Sequence, residues 1–459
     1  MARMVRDRRI SPVEVVDAHF RQIAAHNSRI NAFVLLLEEQ ARAAARRSEE
    51  AVMRGDDLGL LHGVPVTVKD SFDVMGVATL CGSKFRLGHR AAADATAVAR
   101  MRAAGAIVIG KTNCPEFLSN YETDNYITGR TNNPWNVDCT PGGSSGGEGA
   151  AIAAFFSAGG IGSDGGGSIR IPAHFSGIAG LKPTPGRVSA AGHFPVINHP
   201  GGLLGVAGPL ARSAEDVRRL FTVLAGYDSQ DPFSAPVPVR TPDVSGWRVG
   251  LMERFGDVPV QAEIAETLQK AARTLEQIGF KVEPFKPHGL QRAPNLWWFF
   301  FGQLPAPITK QLIEGREQDA HWTGTEFLET ALNEGAPMVE DLVFNLATRD
   351  RLRAALLREM ENVPLILAPP CGVPAFRHRE RHWPTETKTI SLFEAMMPMT
   401  PWNLLGLPAA VVPFGLSQQG LPIGVQIIGR PWEEETILEA AVRLEEARGP
   451  FPAPPGFSN

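Results

Sequence analysis

Residues 139–187 read CTPGGSSGGEGAAIAAFFSAGGIGSDGGGSIRIPAHFSGIAGLKPTPGR and contain two serines set among glycines, Ser144 and Ser168. Glycine has no side chain to obstruct a sharp bend or a close approach. A serine after three glycines therefore has an exposed hydroxyl and several free backbone N–H groups. Together they predict a nucleophile beside an oxyanion hole, as acyl transfer requires. A flexible linker is the other interpretation, but linkers are polar and residues 150–160, AAIAAFFSAGG, are apolar.

A serine hydroxyl needs a base to act as a nucleophile. His174 is the nearest histidine after Ser168, and GGSSG at residues 142–146 fits the G-x-S-x-G elbow only loosely. Lys69 ends the alternating run VPVTVK and should lie near a strand end. A solvated lysine has a pKa of about 10.4 and is a poor base, whereas burial lowers that value. Taken alone, Lys69 is better explained as an ordinary surface lysine than as a buried base.

Several short motifs occur together in one order: GVPVTVKD, GKTN, TPGGSSGGEGAA, SDGGGSIRIPA and GLKPT. In this order, and in the spacing between Ser144 and Ser168, the chain resembles the amidase signature family from Ile10 to about Leu438. Several motifs in the same order and spacing identify a family far more specifically than any single glycine-rich loop does. The chain departs from the common family pattern at Ser163 and at Gly165, where many members have a bulkier residue.

The resemblance implies a catalytic triad and an oxyanion hole. Ser168 would be the nucleophile, Ser144 the bridging serine, held by a cis peptide bond after Gly143, and Lys69 the base. The oxyanion hole would consist of the backbone N–H groups of Gly165, Gly166, Gly167 and Ser168. The chemistry would need no metal and no organic cofactor.

Strand and helix patterns alternate along most of the chain, which favours an α/β fold. We expect a helix beginning at Ser11-Pro12, a strand at VPVTV, a helix over 147–158 that follows the GGSS turn, and a closing helix over 433–448. Length alone suggests two or three domains, but no linker is visible. The resemblance implies one domain over residues 1–459, a mixed, twisted β-sheet covered on both faces by helices.

Composition indicates an ordinary globular protein: 44% of its 459 residues are hydrophobic, 20% are charged, and the net charge is −4. This balance predicts no attraction to nucleic acid or to an anionic membrane. The four cysteines form no CxxC pair and fit free thiols in a reducing compartment. The opening MARMVRDRR lacks the apolar core of a signal peptide. We expect a cytoplasmic monomer or homodimer that acts on a small molecule.

Two further patterns suggest other chemistries, and each has a simpler interpretation. Residues 105–112, GAIVIGKT, match a phosphate-binding loop, but their middle positions are themselves an apolar strand. Lys111 is then a structural residue or part of a pocket wall. His378 and His382 have the four-residue spacing of zinc ligands, but they lack the HExxH glutamate and lie among charged residues. A solvated loop is the favoured interpretation of that pair.

Residues 287–342 depart from the α/β alternation. They include five consecutive aromatic residues, WWFFF at positions 297–301. These side chains fit plain core packing, or a cap that forms the mouth of an apolar pocket.

The predicted activity is hydrolysis of an amide, with a carbamate (urethane) or an aryl ester as alternatives on the same triad. A glutaminase subunit of a tRNA-dependent amidotransferase is less favoured. That subunit needs polar residues to hold the glutamine α-groups, and the corresponding stretch here, residues 397–410, reads MPMTPWNLLGLPAA. A binding protein without chemistry is the remaining alternative, against which the complete triad argues.

Overall fold

A mixed β-sheet runs through the computed structural model, which describes residues 1–196, 204–244 and 246–457. Eleven strands of the described chain form this sheet, and two short strands form a separate hairpin. In chain order the strands are β1 Phe33–Leu36, β2 Pro65–Lys69, β3 Ile107–Thr112, β4 Gly159–Asp164, β5 Ala179–Lys182, β6 Val206–Ala211, β7 Arg248–Leu251, β8 Lys281–Pro284, β9 Leu365–Ala368, β10 His382–Pro384, β11 Thr389–Ser391, β12 Ala409–Leu416 and β13 Pro422–Gly429.

The strand order in the large sheet is β1-β3-β2-β4-β6-β5-β12-β13-β9-β7-β8. β2 is parallel to both of its neighbours, β3 and β4, and β7 is parallel to β8 and β9. β12 and β13 pair antiparallel over the longest register in the centre of the sheet. Because parallel neighbours end at the same edge, the residues that end β2 and β4 lie near one another.

The helices connect these strands and cover the sheet. They are α1 Ala2–Arg6, α2 Pro12–Ile30, α3 Glu38–Arg54, α4 Thr96–Ala103, α5 Gly146–Ala153, α6 Arg170–Ser176, α7 Ala214–Leu224, α8 Ala262–Gln277, α9 Ala293–Trp298, α10 Ala306–Ile313, α11 Trp322–Asn333, α12 Val339–Glu359, α13 Leu392–Met396, α14 Thr400–Leu404 and α15 Glu434–Arg448. Ser11 caps α2 through a capping box with Glu14, as its sequence predicts.

Successive strand residues point to opposite sides of the sheet, and helices pack against both sides, so both faces are buried. In β3, Val108 belongs to a core cluster that α4, α7, α8 and α15 complete, whereas Ile107 and Ile109 pack with α2, α3 and α5. β12 alternates in the same way, with Val412 in the first cluster and Ala409 against α9, α12 and α14. This architecture confirms the predicted α/β class with a mixed sheet between helical layers.

Two expectations need correction. The helix predicted over 147–158 ends at Ala153, because Phe155 adopts a left-handed conformation with φ 60°; the alanine-rich run contains no polar or glycine stop signal at that point. His378 is not in a solvated loop, since its side chain is 8% exposed and its Nδ1 lies 3.3 Å from Glu122 Oε2. His382 is exposed at the start of β10.

Lys111 is a structural residue, as expected. It lies inside β3, buried, with its ammonium 2.8 Å from Asp70 Oδ1 and bonded to Ala78 O. Within the described ranges, no three His, Cys, Asp or Glu side chains cluster as metal ligands would. The same ranges contain no helix both long and apolar enough to cross a membrane.

Candidate active site

Three segments bring the predicted catalytic residues to one edge of the sheet. Lys69 is the last residue of β2, Ser144 lies in the turn before α5, and Ser168 lies between β4 and α6. The alternation of β2 sends Val66 and Val68 into the core beneath α4 and α7, so Thr67 and Lys69 point to the opposite face, where α5 begins. The strand pattern in the sequence thus accounts for the direction of the lysine side chain.

The amine of Lys69 is fully buried among hydroxyl groups. Its Nζ lies 2.7 Å from Ser144 Oγ and 3.0 Å from Ser163 Oγ. No carboxylate of the described residues lies within ion-pair distance of it. Burial is the main cause that lowers the pKa of Lys69 from 10.5 to about 8, because it disfavours the charged form. About a tenth of the amine is therefore neutral at pH 7, far more than for a solvated lysine.

Ser144 follows a cis peptide bond from Gly143, as the sequence resemblance implies. Gly143 is required here because a Cβ atom would lie 2.6 Å from Asn120 O. The hydroxyl of Ser144 accepts a hydrogen bond from Lys69 Nζ, and the described hydrogen bonds include none between Ser144 and Ser168. Ser144 and Ser168 nevertheless line the same cavity.

The turn 165–168 is anchored by the carboxylate of Asp164, which ends β4. Gly167 N donates to Asp164 Oδ1 at 2.7 Å and Ile169 N donates to Oδ2 at 3.1 Å. Gly167 therefore differs from the prediction, since its N–H group already has an acceptor. Within the described hydrogen bonds, the N–H groups of Gly165, Gly166 and Ser168 have no protein acceptor and are free to bind a substrate oxygen.

A buried ion pair holds Asp164 in place. Arg170 Nε lies 3.0 Å from Asp164 Oδ2, and Asn403 Nδ2 donates to Oδ1 at 2.9 Å. Burial alone would raise the pKa of Asp164, but the charge and hydrogen bonds of Arg170 outweigh it and hold that pKa well below its usual range. Sequence reasoning missed these partners of Asp164. Arg170 within the motif SDGGGSIR was the available signal, whereas nothing near Asn403 marked it.

His174 does not serve as a base for Ser168. Its Nδ1 accepts from Gly424 N at 2.8 Å, and its Nε2 lies 3.1 Å from Val373 O, so both ring nitrogens bind the main chain. Burial lowers its pKa to about 4 and keeps the ring neutral. The described surroundings of Ser168 therefore leave Lys69, acting through Ser144, as the candidate base.

A cavity of about 490 Å³ opens beside Ser168, and its lining is predominantly apolar. Leu118, Phe194, Phe300, Phe301, Leu312 and Phe327 contribute to this surface. Asp164 is the one charged residue among its described lining, and its charge is matched by Arg170. All five side chains of the aromatic run 297–301 lie in or against one core cluster, and Trp298, Phe300 and Phe301 also line the cavity. That residues 287–342 form a cap stays a prediction.

The chain belongs to the Amidase family, whose sequence model matches residues 14–438. It is 35% identical to an indoleacetamide hydrolase of Bradyrhizobium diazoefficiens, over 98% of this chain and 86% of that protein. It is 33% identical to the A subunit of a glutamyl-tRNA(Gln) amidotransferase of Geotalea daltonii, over 96% of this chain and 95% of that protein. A solved bacterial aryl acylamidase of the amidase signature family superposes with a TM-score of 0.87 at 29% identity, over 97% of this chain and 94% of that one.

These likenesses confirm the family recognised from the sequence motifs. The protein is an amidase signature enzyme that hydrolyses amides. Small-molecule amides fit an enzyme of this kind.

Proposed function

We propose that Ser168, Ser144 and Lys69 form the catalytic triad of an amidase whose substrate is a small, uncharged amide with an apolar or aryl acyl group. The observation that carries this proposal is the buried, carboxylate-free amine of Lys69, bonded to Ser144 at the wall of the cavity that contains Ser168. A lysine in such surroundings is a base rather than an ion-pair partner.

The reaction begins when neutral Lys69 takes a proton from Ser144, which in turn takes one from Ser168. A hydroxyl group can donate one hydrogen bond while accepting another, as this relay requires. The oxygen of Ser168 forms a bond to the carbonyl carbon, and the carbonyl electrons move to its oxygen. The free N–H groups of Gly165, Gly166 and Ser168 stabilise that oxyanion.

The carbonyl re-forms as the C–N bond breaks, and the proton held by Lys69 returns through Ser144 to the leaving nitrogen. An amine, or ammonia from a primary amide, departs and leaves an ester on Ser168. Water then attacks the ester carbonyl while the same relay accepts its proton. The bond between the acyl carbon and the Ser168 oxygen breaks, the proton returns from Lys69 through Ser144 to that oxygen, and the carboxylic acid is released. The proton count on Lys69 is the same before and after the cycle.

The cavity supports the substrate class. Its aromatic and aliphatic walls suit an apolar acyl group, because such pockets bind chiefly by burying apolar surface. The names of two relatives, indoleacetamide hydrolase and aryl acylamidase, agree with an aromatic substrate. Carbamates and aryl esters remain alternative substrates, since they would use the same nucleophile and oxyanion hole.

The likeness to the glutamyl-tRNA(Gln) amidotransferase protein makes glutamine the second candidate substrate. Glutamine carries an α-ammonium and an α-carboxylate, and burying these charges requires paired partners. The described lining offers one charged residue, Asp164, which is already paired with Arg170. We therefore favour an uncharged amide, hydrolysed by a monomer or homodimer without a tRNA-linked partner.

A substrate panel tests the proposal. Aryl amides, primary aryl-acetamides, aryl carbamates and glutamine are compared at equal concentration, with Ser168→Ala as the inactive control. The expected order places the aryl amides first and glutamine last. A fluorophosphonate probe should label Ser168, as peptide mass spectrometry would detect. Labelling of Ser144 or Ser145 instead, or glutamine as the best substrate, would contradict the proposal.

A further inference from the structure

The carbonyl groups of the glycine turn are held by two aromatic side chains. Trp297 Nε1 donates to Gly165 O at 2.8 Å, and Tyr121 Oη donates to Gly166 O at 3.0 Å. Trp297 lies in the last turn of α9, in the segment 287–342, whereas Tyr121 lies in the loop after β3. Two separate parts of the chain thus hydrogen-bond to the carbonyl groups of this turn.

Each of these contacts also sets the direction of an N–H group. The peptide bonds within the turn are trans, and in a planar trans peptide the C=O and N–H bonds point in opposite directions. Tyr121 therefore aims the N–H of Gly167, which binds Asp164. Trp297 aims the N–H of Gly166, which has no acceptor in the described structure.

The indole of Trp297 is itself held firmly. It stacks on Phe301, one helical turn later, with ring centroids 4.6 Å apart and an interplanar angle of 16°. A Cβ atom on Gly166 would lie 2.3 Å from Trp297 Cζ2, and one on Gly165 would lie 3.2 Å from Phe301 Cε2. The stack therefore occupies the space that side chains at these positions would fill. The approach is closest at Gly166, where any side chain would displace the indole.

We propose that Trp297 is a positioning residue of the oxyanion hole, which fixes the Gly165–Gly166 peptide so that the Gly166 N–H points at the developing oxyanion. The inference rests on the proposed function of Ser168 and adds to it a link from the aromatic segment to the reacting atoms. A preorganised donor costs no rearrangement as charge develops. Both acylation and deacylation pass through an oxyanion, so both steps depend on this peptide.

Trp297→Phe tests the role because it removes the N–H donor and keeps an aromatic ring. Trp135→Phe is the matched control, since Trp135 Nε1 also donates to a main-chain carbonyl, Ser176 O at 2.9 Å, outside the cavity. Removing one oxyanion donor lowers kcat by about 10²–10³-fold, and misdirecting one should cost about 10–100-fold. We expect that loss in Trp297→Phe, with KM changed by less than about 3-fold.

A trifluoromethyl ketone analogue of the best amide substrate supplies a second readout, because it forms a tetrahedral adduct on the nucleophile. Its inhibition constant should rise with the loss in kcat in Trp297→Phe and stay unchanged in Trp135→Phe. Rates are expressed per fluorophosphonate-labelled site, so that misfolded protein does not count. Trp297→Leu, which also lacks a donor, replaces Trp297→Phe if that variant does not fold.

Three results would overturn the inference: kcat within twofold of the control, a rise in KM alone, or a loss of kcat without weaker binding of the ketone. If the wild-type protein takes no label on Ser168, the proposed triad fails. If the wild type is labelled and Trp297→Phe behaves like Trp135→Phe, only the positioning role fails.

Discussion

Replacing Lys69 by methionine should change the stability of the fold in a pH-dependent way. The amine of Lys69 is completely buried, and burial lowers its pKa from 10.5 to about 8. Methionine has a similar length and carries no charge. At 1.36 kcal/mol per pKa unit, holding this lysine costs about 3 kcal/mol of the free energy of unfolding at pH 7.

The sign follows from proton binding. Between pH 8 and pH 10.5 the unfolded chain protonates Lys69 more than the folded chain does, so wild-type stability rises with pH through that window. The Lys69→Met variant lacks this contribution. Loss of the hydrogen bonds to Ser144 and Ser163 offsets part of its gain, at about 0.5–1.5 kcal/mol each. That offset is largely independent of pH, so the pH dependence of the difference isolates the buried amine.

Urea denaturation of both proteins at pH 7 and pH 10 measures this difference. Relative to the wild type, Lys69→Met should lose about 2–3 kcal/mol of stability between the two pH values. Lys281→Met, at an exposed position on β8, is the control for the substitution itself. A difference between wild type and Lys69→Met that does not change with pH would refute the inference that burial lowers the pKa of Lys69.

Three further predictions concern the same edge of the sheet. The value of kcat/KM should rise with pH around pH 8, as Lys69 loses its proton. Lys69→Arg should be almost inactive because arginine does not deprotonate. Substantial activity in Lys69→Arg would contradict the mechanism. Ser144→Ala should lose most activity but keep slow acylation. Ser145→Ala should lose less activity, since the Ser145 hydroxyl contacts Ser163 O and N. Stopped-flow labelling would measure the acylation rate of each variant. Arg170→Gln should cost about 3–5 kcal/mol in urea denaturation, because it leaves Asp164 buried and unpaired; a change below about 1 kcal/mol would contradict that account.

The sequence predicts those parts of the site that are encoded locally. The alternation of VPVTVK places Lys69 at a strand end and facing away from the valine core, and glycine clusters mark both serine turns. The resemblance in motif order supplies the pairing of Lys69 with Ser144. Contacts made across the fold could not be predicted. Asn403 reaches Asp164 from 239 residues away and Trp297 reaches Gly165 from 132 residues away, with no local pattern that links them.

The early end of α5 was also not predictable from local sequence, because contacts across the fold determine it. Residues 150–160 carry an unbroken apolar run, which helical spacing alone extends past Ala153. The left-handed conformation of Phe155 ends the helix so that the chain can enter β4 beside β2 and β6. Tertiary packing, rather than a local stop signal, sets this boundary.

Lys69 and Asp164 are both buried at this edge of the sheet, and their surroundings shift their protonation in different ways. In the proposed mechanism Lys69 has to lose its proton, whereas Asp164 stays charged and accepts hydrogen bonds from Gly167 N and Ile169 N. A bare carboxylate in Asp164 would favour the ammonium form, and its attraction does act to raise the pKa of Lys69. Arg170 Nε lies 3.0 Å from Asp164 Oδ2, and its positive charge opposes the attraction that this carboxylate exerts on Lys69. The arginine that follows Ser168 therefore allows a charged aspartate and a lysine of lowered pKa to lie beside one cavity.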